Sequence, residues 1–203
     1  MVLINPHSAA LWSGQRIGLL GGSFNPAHSG HRQVSLFALK RLKLDHIWWL
    51  VSPQNPLKST HGMASLNQRM KTAAAMAQHP RIHVTDLEHQ WGVFYTIDVL
   101  KALRKRFPKT HFVWLMGADN MQQIEHWRAW GDIFKSVPVA VFRRPAYAAG
   151  RRRGKAAVRF DRFWINRQKA KLLAEVKPPA WLVLDNDLSH LSATALRKRQ
   201  NKF

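Results

Sequence analysis

The sequence has no cysteine in its 203 residues. This absence excludes a disulfide scaffold, a cysteine nucleophile and zinc–thiolate sites. The sequence also has no apolar run near the ~20 residues that a membrane-spanning helix needs. Residues 1–16 show no basic region followed by an apolar stretch and a cleavage site, so we predict no signal peptide. These absences favour a cytoplasmic protein that does not enter a membrane.

Acidic residues are scarce, because 11 Asp and Glu stand against 32 Lys and Arg, which gives a net charge of +21. Part of the basic excess is concentrated in residues 143–177. A surface of this kind attracts polyanions such as nucleic acids, nucleotides or acidic lipids. Charge alone does not choose among these partners.

The length and the apolar content of 46% predict one domain with a sizeable core. We divide the chain into an N-terminal extension, residues 1–15, and a single domain, residues 16–203. Within this domain, residues 146–162 (AYAAGRRRGKAAVRFDR) form a basic insertion, which we interpret as a solvated loop.

Strands and helices alternate along the domain. Short apolar runs predict strands at 16–20, 47–51, 82–85, 112–116, 137–142 and 181–184. Apolar periodicity and capping residues predict helices at 30–43, 65–78, 96–107 and 120–136, and another that starts near Thr194. This order predicts an α/β fold, a Rossmann-like doubly wound parallel sheet with helices on both faces. Ligands bind such sheets beyond the carboxyl ends of the strands, so the segments of interest are 21–31, 52–58, 117–130 and 189–197.

The segment 21–31 (GGSFNPAHSGH) follows the first predicted strand and opens the first helix. Its glycines let the backbone approach a phosphate, and the helix N-terminus directs N–H groups at that anion. His28 and His31 are three residues apart and can face the same side of the first turn. The alternative is a Gly-Pro turn with two incidental histidines. The full string between a strand and a helix favours phosphate binding.

A second segment, 191–197 (LSATALR), follows the last predicted strand. Ser192 or Thr194 can cap the terminal helix, and Arg197 lies close enough to reach the same anion. Alone, this pattern is typical of an ordinary capped helix with a surface arginine. Together with the first segment, it indicates a second helix N-terminus directed at one polyphosphate.

The two segments resemble the nucleotidyltransferases of the GxFxPxHxGH type. Further segments occur in the order expected of one family in that group, the nicotinate-nucleotide adenylyltransferases: VSPQNPLK at 51–58, YT at 95–96, GADN at 117–120, HWRAW at 126–130 and RRP at 143–145. The resemblance covers about residues 16–197. The middle segments distinguish this family from the pantetheine-phosphate adenylyltransferases.

The resemblance implies a role for each matching residue. His28, His31 and Arg197 would form the catalytic set. The ATP site would comprise Gly22, Ser23, Phe24, His28, His31, Gly117, Asp119, Ser192, Thr194 and Arg197. The mononucleotide site would comprise Lys58, Thr96 and Trp127, with the indole stacked on the pyridine ring. Three of these residues have plainer alternatives: Asp119 as a helix cap, Trp127 as a core residue and Lys58 as a solvated loop lysine.

The implied reaction is adenylyl transfer from ATP to nicotinate mononucleotide, which gives deamido-NAD and pyrophosphate. The attacking phosphate is already an anion, so the reaction needs neither a general base nor a covalent nucleophile. We expect Mg²⁺ to arrive with ATP, held by phosphates and water rather than by protein side chains. A homo-oligomer is compatible with the sequence.

Two alternatives stay open. The acceptor could be nicotinamide mononucleotide or phosphopantetheine. In another class, the chain could be a basic RNA-binding protein on a Rossmann-like scaffold. No RNA-recognition signature of aromatic residues between basic ones supports the second alternative, so we expect nucleic acid to bind only through non-specific electrostatics.

Overall fold

The fold comes from a computed structural model, which describes residues 6–53, 62–143 and 154–185. The described residues form one sheet of six parallel strands. The strands are β1 (Arg16–Gly22), β2 (His46–Val51), β3 (Ile82–Thr85), β4 (His111–Gly117), β5 (Val139–Arg143) and β6 (Trp181–Asp185). Their order across the sheet is β3-β2-β1-β4-β5-β6. The direction of winding therefore reverses between β1 and β4, which is where doubly wound sheets bind ligands.

Helices cover both faces of the sheet, which confirms the predicted fold class. The α-helices are α1 (Ser29–Arg41), α2 (Leu66–Ala77), α3 (Leu87–Gln90), α4 (Thr96–Arg106), α5 (Ala118–Gln123), α6 (Trp130–Ser136) and α7 (Lys155–Arg159). Short 3-10 helices occur at Pro6–Trp12, Ile124–His126, Asp161–Phe163 and Arg167–Glu175.

The core is split by the sheet into two buried apolar clusters. In β2, Trp48 and Leu50 belong to the cluster under α4 and α6, whereas Ile47, Trp49 and Val51 belong to the one under α1 and α2. Successive strand residues point to opposite faces, and both faces are covered. This arrangement explains why the continuous apolar run at 47–51 predicts a strand correctly.

The helix caps agree with the sequence at one position and differ at another. The Ser65 side chain caps α2 and accepts a hydrogen bond from the Gln68 N–H at 3.3 Å. Thr96, predicted as the cap of the next helix, is instead the first residue of α4, and Tyr95 is its N-cap. The predicted cap was therefore misplaced by one residue, and the Thr96 side chain is not used for capping.

The helix predicted over 120–136 is divided into α5, a 3-10 turn and α6. The chain breaks at Ala129, whose φ of +48° is left-handed and incompatible with a continuous right-handed helix. The structure also contains α3 and the 3-10 helix Arg167–Glu175, which the sequence did not predict.

Two stretches outside the predicted strands and helices are packed onto the domain. Trp12, in the N-terminal extension, is 7% exposed and belongs to one core cluster. Within residues 154–162, α7 buries Ala156 and Ala157, and Phe160 stacks on Phe134 at 4.6 Å between ring centroids. The interpretation as a solvated loop is therefore wrong for 154–162, because small and aromatic side chains bury this part against the core.

Candidate functional site

The segment 21–31 leaves the carboxyl end of β1 and leads into α1 at the point where the strand order reverses. His28 is the N-cap of α1 and is buried, with 4% of its surface exposed. The His28 and His31 rings lie 3.8 Å apart between centroids, so the structure brings the predicted pair together. The pair therefore lies beside backbone N–H groups of a helix N-terminus, an arrangement suited to an anion.

The orientation of His31 is set by two neighbours. Its Nδ1 accepts a hydrogen bond from the His28 backbone N–H at 3.2 Å. An imidazole that accepts at Nδ1 carries its proton at Nε2, which is then a donor. Phe24 packs against the ring at 4.7 Å and stacks on Trp49 at 5.0 Å. The contact at Nδ1 leaves Nε2 as the donor nitrogen of the ring.

Packing in the fold requires a glycine at position 21. A Cβ at Gly21 would lie 2.6 Å from the Trp114 indole, whereas one at Gly22 would make ordinary contact with Phe24 at 3.5 Å. The glycine thus leaves room for an aromatic side chain of β4. Since Gly21, Gly22 and Trp114 all line the cleft described next, this packing shapes the floor of the site.

A cleft opens beyond the carboxyl ends of β1, β2 and β4. It is lined by Gly21, Gly22, Ser23, Ser52, Glu88, Phe94, Tyr95, Thr96, Trp114, Asn120, His126, Trp127 and Arg128. The loops after β1, β2 and β3, the N-terminus of α4 and the turn after α5 all contribute. This cleft contains Gly22, Ser23, Thr96 and Trp127 of the predicted set.

One end of the cleft combines a helix N-terminus with aromatic rings. Tyr95 and Thr96 begin the 11-residue α4. Trp127 lines the cleft and also packs against a core cluster, so both interpretations of this residue have support. Arg128 lies 4.7 Å above the Tyr95 ring and 3.3 Å from Asp98, which fixes a cation at the edge of the cleft.

Arg69 holds two loops of the site in place, a role that no pattern in the sequence predicted. The side chain is 2% exposed, and within the described part of the chain its guanidinium donates to four backbone carbonyls. The Nη1 atom donates to the Ser23 and Ser52 oxygens at 2.7 Å each, and Nη2 donates to the Pro53 oxygen at 2.9 Å. Burial lowers the Arg69 pKa. Arg69 therefore joins the loop after β1 to the loop after β2.

Glu88 is a second residue that the sequence did not single out. It follows β3 in α3, lines the cleft and is 6% exposed. Burial raises the pKa of its carboxyl to about 7, against the opposing effect of a hydrogen bond with Ser52. Ligands bind doubly wound sheets beyond the carboxyl ends of the strands. Applied to every predicted strand, this rule would have added residues 86–96, and with them Glu88, to the segments of interest.

Gly117 and Asp119 lie at the other side of the reversal point. Gly117 ends β4 and is the N-cap of α5, where no side-chain capping hydrogen bond forms. The Asp119 carboxylate folds back against Gly117. Both residues lie next to the cleft residue Asn120. The alternative role of Asp119, as a cap of the helix after Gly117, stays a prediction.

Four predicted site residues lie outside the described residues: Lys58, Ser192, Thr194 and Arg197. Over 6–53, 62–143 and 154–185, no group of three or more His, Asp or Glu side chains is placed to hold a metal ion. Across the same ranges, no helix has the length and apolarity to cross a membrane.

Comparison with known proteins gives the family. The family model described as cytidylyltransferase-like matches residues 19–199. A Parvibaculum lavamentivorans protein named "Probable nicotinate-nucleotide adenylyltransferase" is 49% identical over 189 residues, covering 93% of this chain and 94% of the relative. A Caulobacter protein of the same name is 48% identical over 187 residues, covering 92% of this chain and 99% of the relative.

Solved structures agree with the fold. The nicotinic acid mononucleotide adenylyltransferase of Plasmodium falciparum, complexed with NaAD, superposes with a TM-score of 0.69 at 18% identity, over 91% of this chain and 83% of that chain. At this identity the likeness shows the fold alone. The identity to the bacterial relatives over nearly the whole chain shows that the protein belongs to the cytidylyltransferase-like family and, within it, to the nicotinate-nucleotide adenylyltransferases.

Proposed function

We propose that the protein transfers the adenylyl group of ATP to nicotinate mononucleotide, forming deamido-NAD and pyrophosphate in NAD biosynthesis. The observation that carries this function is the cleft at the strand-order reversal. It joins the loop that leads to His28 and His31 with a second end built from Trp127 and the N-terminus of α4. One cleft thus offers a phosphate end and an aromatic end.

In this reaction a phosphate oxygen of the mononucleotide attacks the α-phosphorus of ATP. The bond between that phosphorus and the bridging oxygen breaks, and pyrophosphate leaves with the electron pair. The nucleophile is already an anion, so the protein contributes positioning and charge neutralisation. The His31 Nε2–H and the N–H groups at the start of α1 are donors for the phosphoryl oxygens, with Gly22, Ser23 and Phe24 forming the loop beside them.

The remaining residues of the ATP site have proposed roles by family resemblance. Gly117 and Asp119 would contact the adenosine, where a carboxylate accepts from ribose hydroxyls. Ser192, Thr194 and Arg197 would hold the departing pyrophosphate, and Lys58 would face the mononucleotide phosphate. ATP would enter as its Mg²⁺ complex, with the ion bound mainly by phosphate oxygens and water.

The pyridine carboxylate would lie at the N-terminus of α4. Backbone N–H groups there favour an anion, whereas the NH₂ of an amide would face other donors. We therefore expect a kcat/KM preference for nicotinate over nicotinamide mononucleotide of ~10-fold or more. Trp127 would not discriminate, because both pyridine rings stack in the same way.

The test is pyrophosphate release with MgATP and a panel of nicotinate mononucleotide, nicotinamide mononucleotide and phosphopantetheine. We expect the highest kcat/KM with nicotinate mononucleotide. Pyrophosphate at background level with every acceptor would contradict the proposal. A larger rise in melting temperature with RNA than with ATP at physiological salt would instead favour the RNA-binding alternative. A cytoplasmic location stays a prediction.

A further inference from the structure

Glu88 combines two properties that rarely occur together at a site for an anionic substrate. Among the described residues that line the cleft, it is the one acidic side chain. It is also 6% exposed, so its carboxyl is withdrawn from bulk water while it contributes to the cleft wall. An ionised carboxylate in such surroundings is costly, and a neutral carboxylic acid is favoured.

The position of Glu88 is fixed by neighbours that belong to the site. Its carboxyl is hydrogen-bonded with Ser52, and its backbone oxygen accepts from the Val93 N–H at 2.9 Å. Ser52 is itself held on both sides, because its N–H donates to the Gly22 oxygen at 2.9 Å and its oxygen accepts from Arg69. The carboxyl is thus tied to the phosphate loop and to the loop after β2.

We propose that Glu88 is a specificity-determining residue of the cleft. With its carboxyl neutral, Glu88 accepts the negatively charged nicotinate group beside it; with its carboxyl ionised, Glu88 disfavours that group. The inference rests on the proposed function. A protonated carboxyl can donate a hydrogen bond to an anion, whereas two carboxylates in one desolvated cleft repel each other. The uncharged amide of nicotinamide mononucleotide does not experience this repulsion.

Other titratable groups line the same cleft and must be separated from Glu88. Tyr95 comes from the start of α4, and His126 and Arg128 come from the turn after α5. Arg128 is paired with Asp98 at 3.3 Å. His126 is the one imidazole among the described residues that line the cleft. Any pH dependence therefore has to be assigned with variants of both Glu88 and His126.

The expected signature is a change in substrate preference with pH. The carboxyl of Glu88 has a pKa of about 7, so it is mostly neutral at about pH 6 and mostly ionised at about pH 8. If only the neutral form accepts nicotinate, the ratio of kcat/KM for nicotinate to that for nicotinamide mononucleotide falls by up to about 10-fold across this range. Titration of the shared 5′-phosphate cancels in this ratio.

The experiment measures the ratio at several pH values between about 6 and 8 in the wild type, Glu88→Gln, Ser52→Ala and His126→Gln. Glutamine keeps the shape and a donor without a titration, so Glu88→Gln should show a ratio independent of pH. Ser52→Ala removes a hydrogen bond that lowers the Glu88 pKa, so its midpoint should move to higher pH. His126→Gln should keep the wild-type fall. Glu175→Gln, an exposed acid near Arg16, is the matched control and should also behave as the wild type.

A wild-type ratio that does not change with pH would overturn the inference, as would a Glu88→Gln variant that keeps the fall. Loss of the fall in His126→Gln would assign it to the imidazole instead. If Glu88→Gln does not fold, which circular dichroism would reveal, the midpoint of Ser52→Ala decides instead, and a midpoint equal to that of the wild type would overturn the assignment to Glu88. Absence of dinucleotide with both mononucleotides at every pH would contradict the proposed function itself, a result distinct from a pH-independent preference.

Discussion

Two histidine pairs lie at opposite ends of the same parallel sheet. His28 and His31 lie beyond the carboxyl end of β1, with ring centroids 3.8 Å apart. His46 starts β2 and His83 lies near the start of β3, and the His83 Nε2 and His46 Nδ1 atoms are 2.9 Å apart. Each pair is close enough to interact directly, so proximity alone does not tell them apart.

The surroundings of the two pairs differ. His31 follows a loop that lines a cleft, and its Nδ1 is used to orient the ring. His46 and His83 are packed under the Trp12 indole, whose edge contacts lie at 5.2 and 5.3 Å. Burial lowers the pKa of both, that of His83 to about 4. The two pairs are therefore distinguished by their position in the sheet. The pair at the carboxyl end is available to a ligand, whereas the pair at the amino end is part of the packing of the fold.

We expect the largest difference between the two pairs when one ring is removed from each. His31→Ala should lower kcat by about 100-fold or more, because a donor to the phosphoryl oxygens is lost in the transition state. His83→Ala should leave kcat within about 3-fold of wild type, since the ring lies at the opposite end of the sheet. Steady-state adenylyl transfer measures both.

A His31→Ala variant with near-normal kcat would show that the histidine pairs at both ends of the sheet have structural roles only. Arg197→Ala, at a position outside the described residues, is predicted from the family resemblance to lower kcat by a similar factor. For all three variants, circular dichroism and thermal melting should establish that the fold survives.

Two arginines provide the next comparison. Arg69 at the carboxyl end is buried and donates to four backbone carbonyls, those of Ala64, Ser23, Ser52 and Pro53. Arg69→Met should lower the free energy of unfolding by about 3 kcal/mol, because four partly buried carbonyls lose a charged donor. It should also raise KM for both substrates, because the two loops of the cleft are no longer joined.

Arg16 at the amino end is the matched control. It pairs with Asp45 at 2.9 Å, and both side chains are about one-third exposed. A pair of this exposure contributes about 1 kcal/mol or less, so Arg16→Met should cost no more than that and leave both KM values unchanged. Chemical denaturation and steady-state kinetics make the comparison. Equal losses of stability in Arg69→Met and Arg16→Met would contradict the role of Arg69 in joining the loops after β1 and β2.

The two ends also differ in how much could be predicted from the sequence. The strands could be predicted, because strands buried on both faces have continuous apolar runs such as 47–51. Their parallel arrangement follows from the alternation of strands and helices along the chain. The phosphate segment could be recognised because its residues are contiguous. Arg69 could not, since its partners Ser23 and Pro53 lie 46 and 16 residues away along the chain. Glu88 likewise acquires its character from burial by distant segments.

The His46–His83 pair should also make the stability of the protein depend on pH. The folded pKa of His83, about 4, lies below its ordinary value of 6.5, because burial disfavours the charged ring and His46 lies beside it. Between these two values the unfolded chain binds more protons than the folded protein, so the free energy of unfolding falls as pH decreases from about 6.5 towards 4. Since the ring is only partly buried, we expect a loss of about 1–2 kcal/mol, with the full contribution present above pH ~6.5.

His83→Gln, which cannot be protonated, should remove most of this slope, whereas His111→Gln, at an exposed position on β4, should keep it. Chemical denaturation of the three proteins between about pH 4.5 and 7.5 measures the difference. An identical slope in wild type and His83→Gln would show that protonation of the pair does not destabilise the amino end of the sheet, and the contrast between the two histidine pairs would then rest on kcat alone.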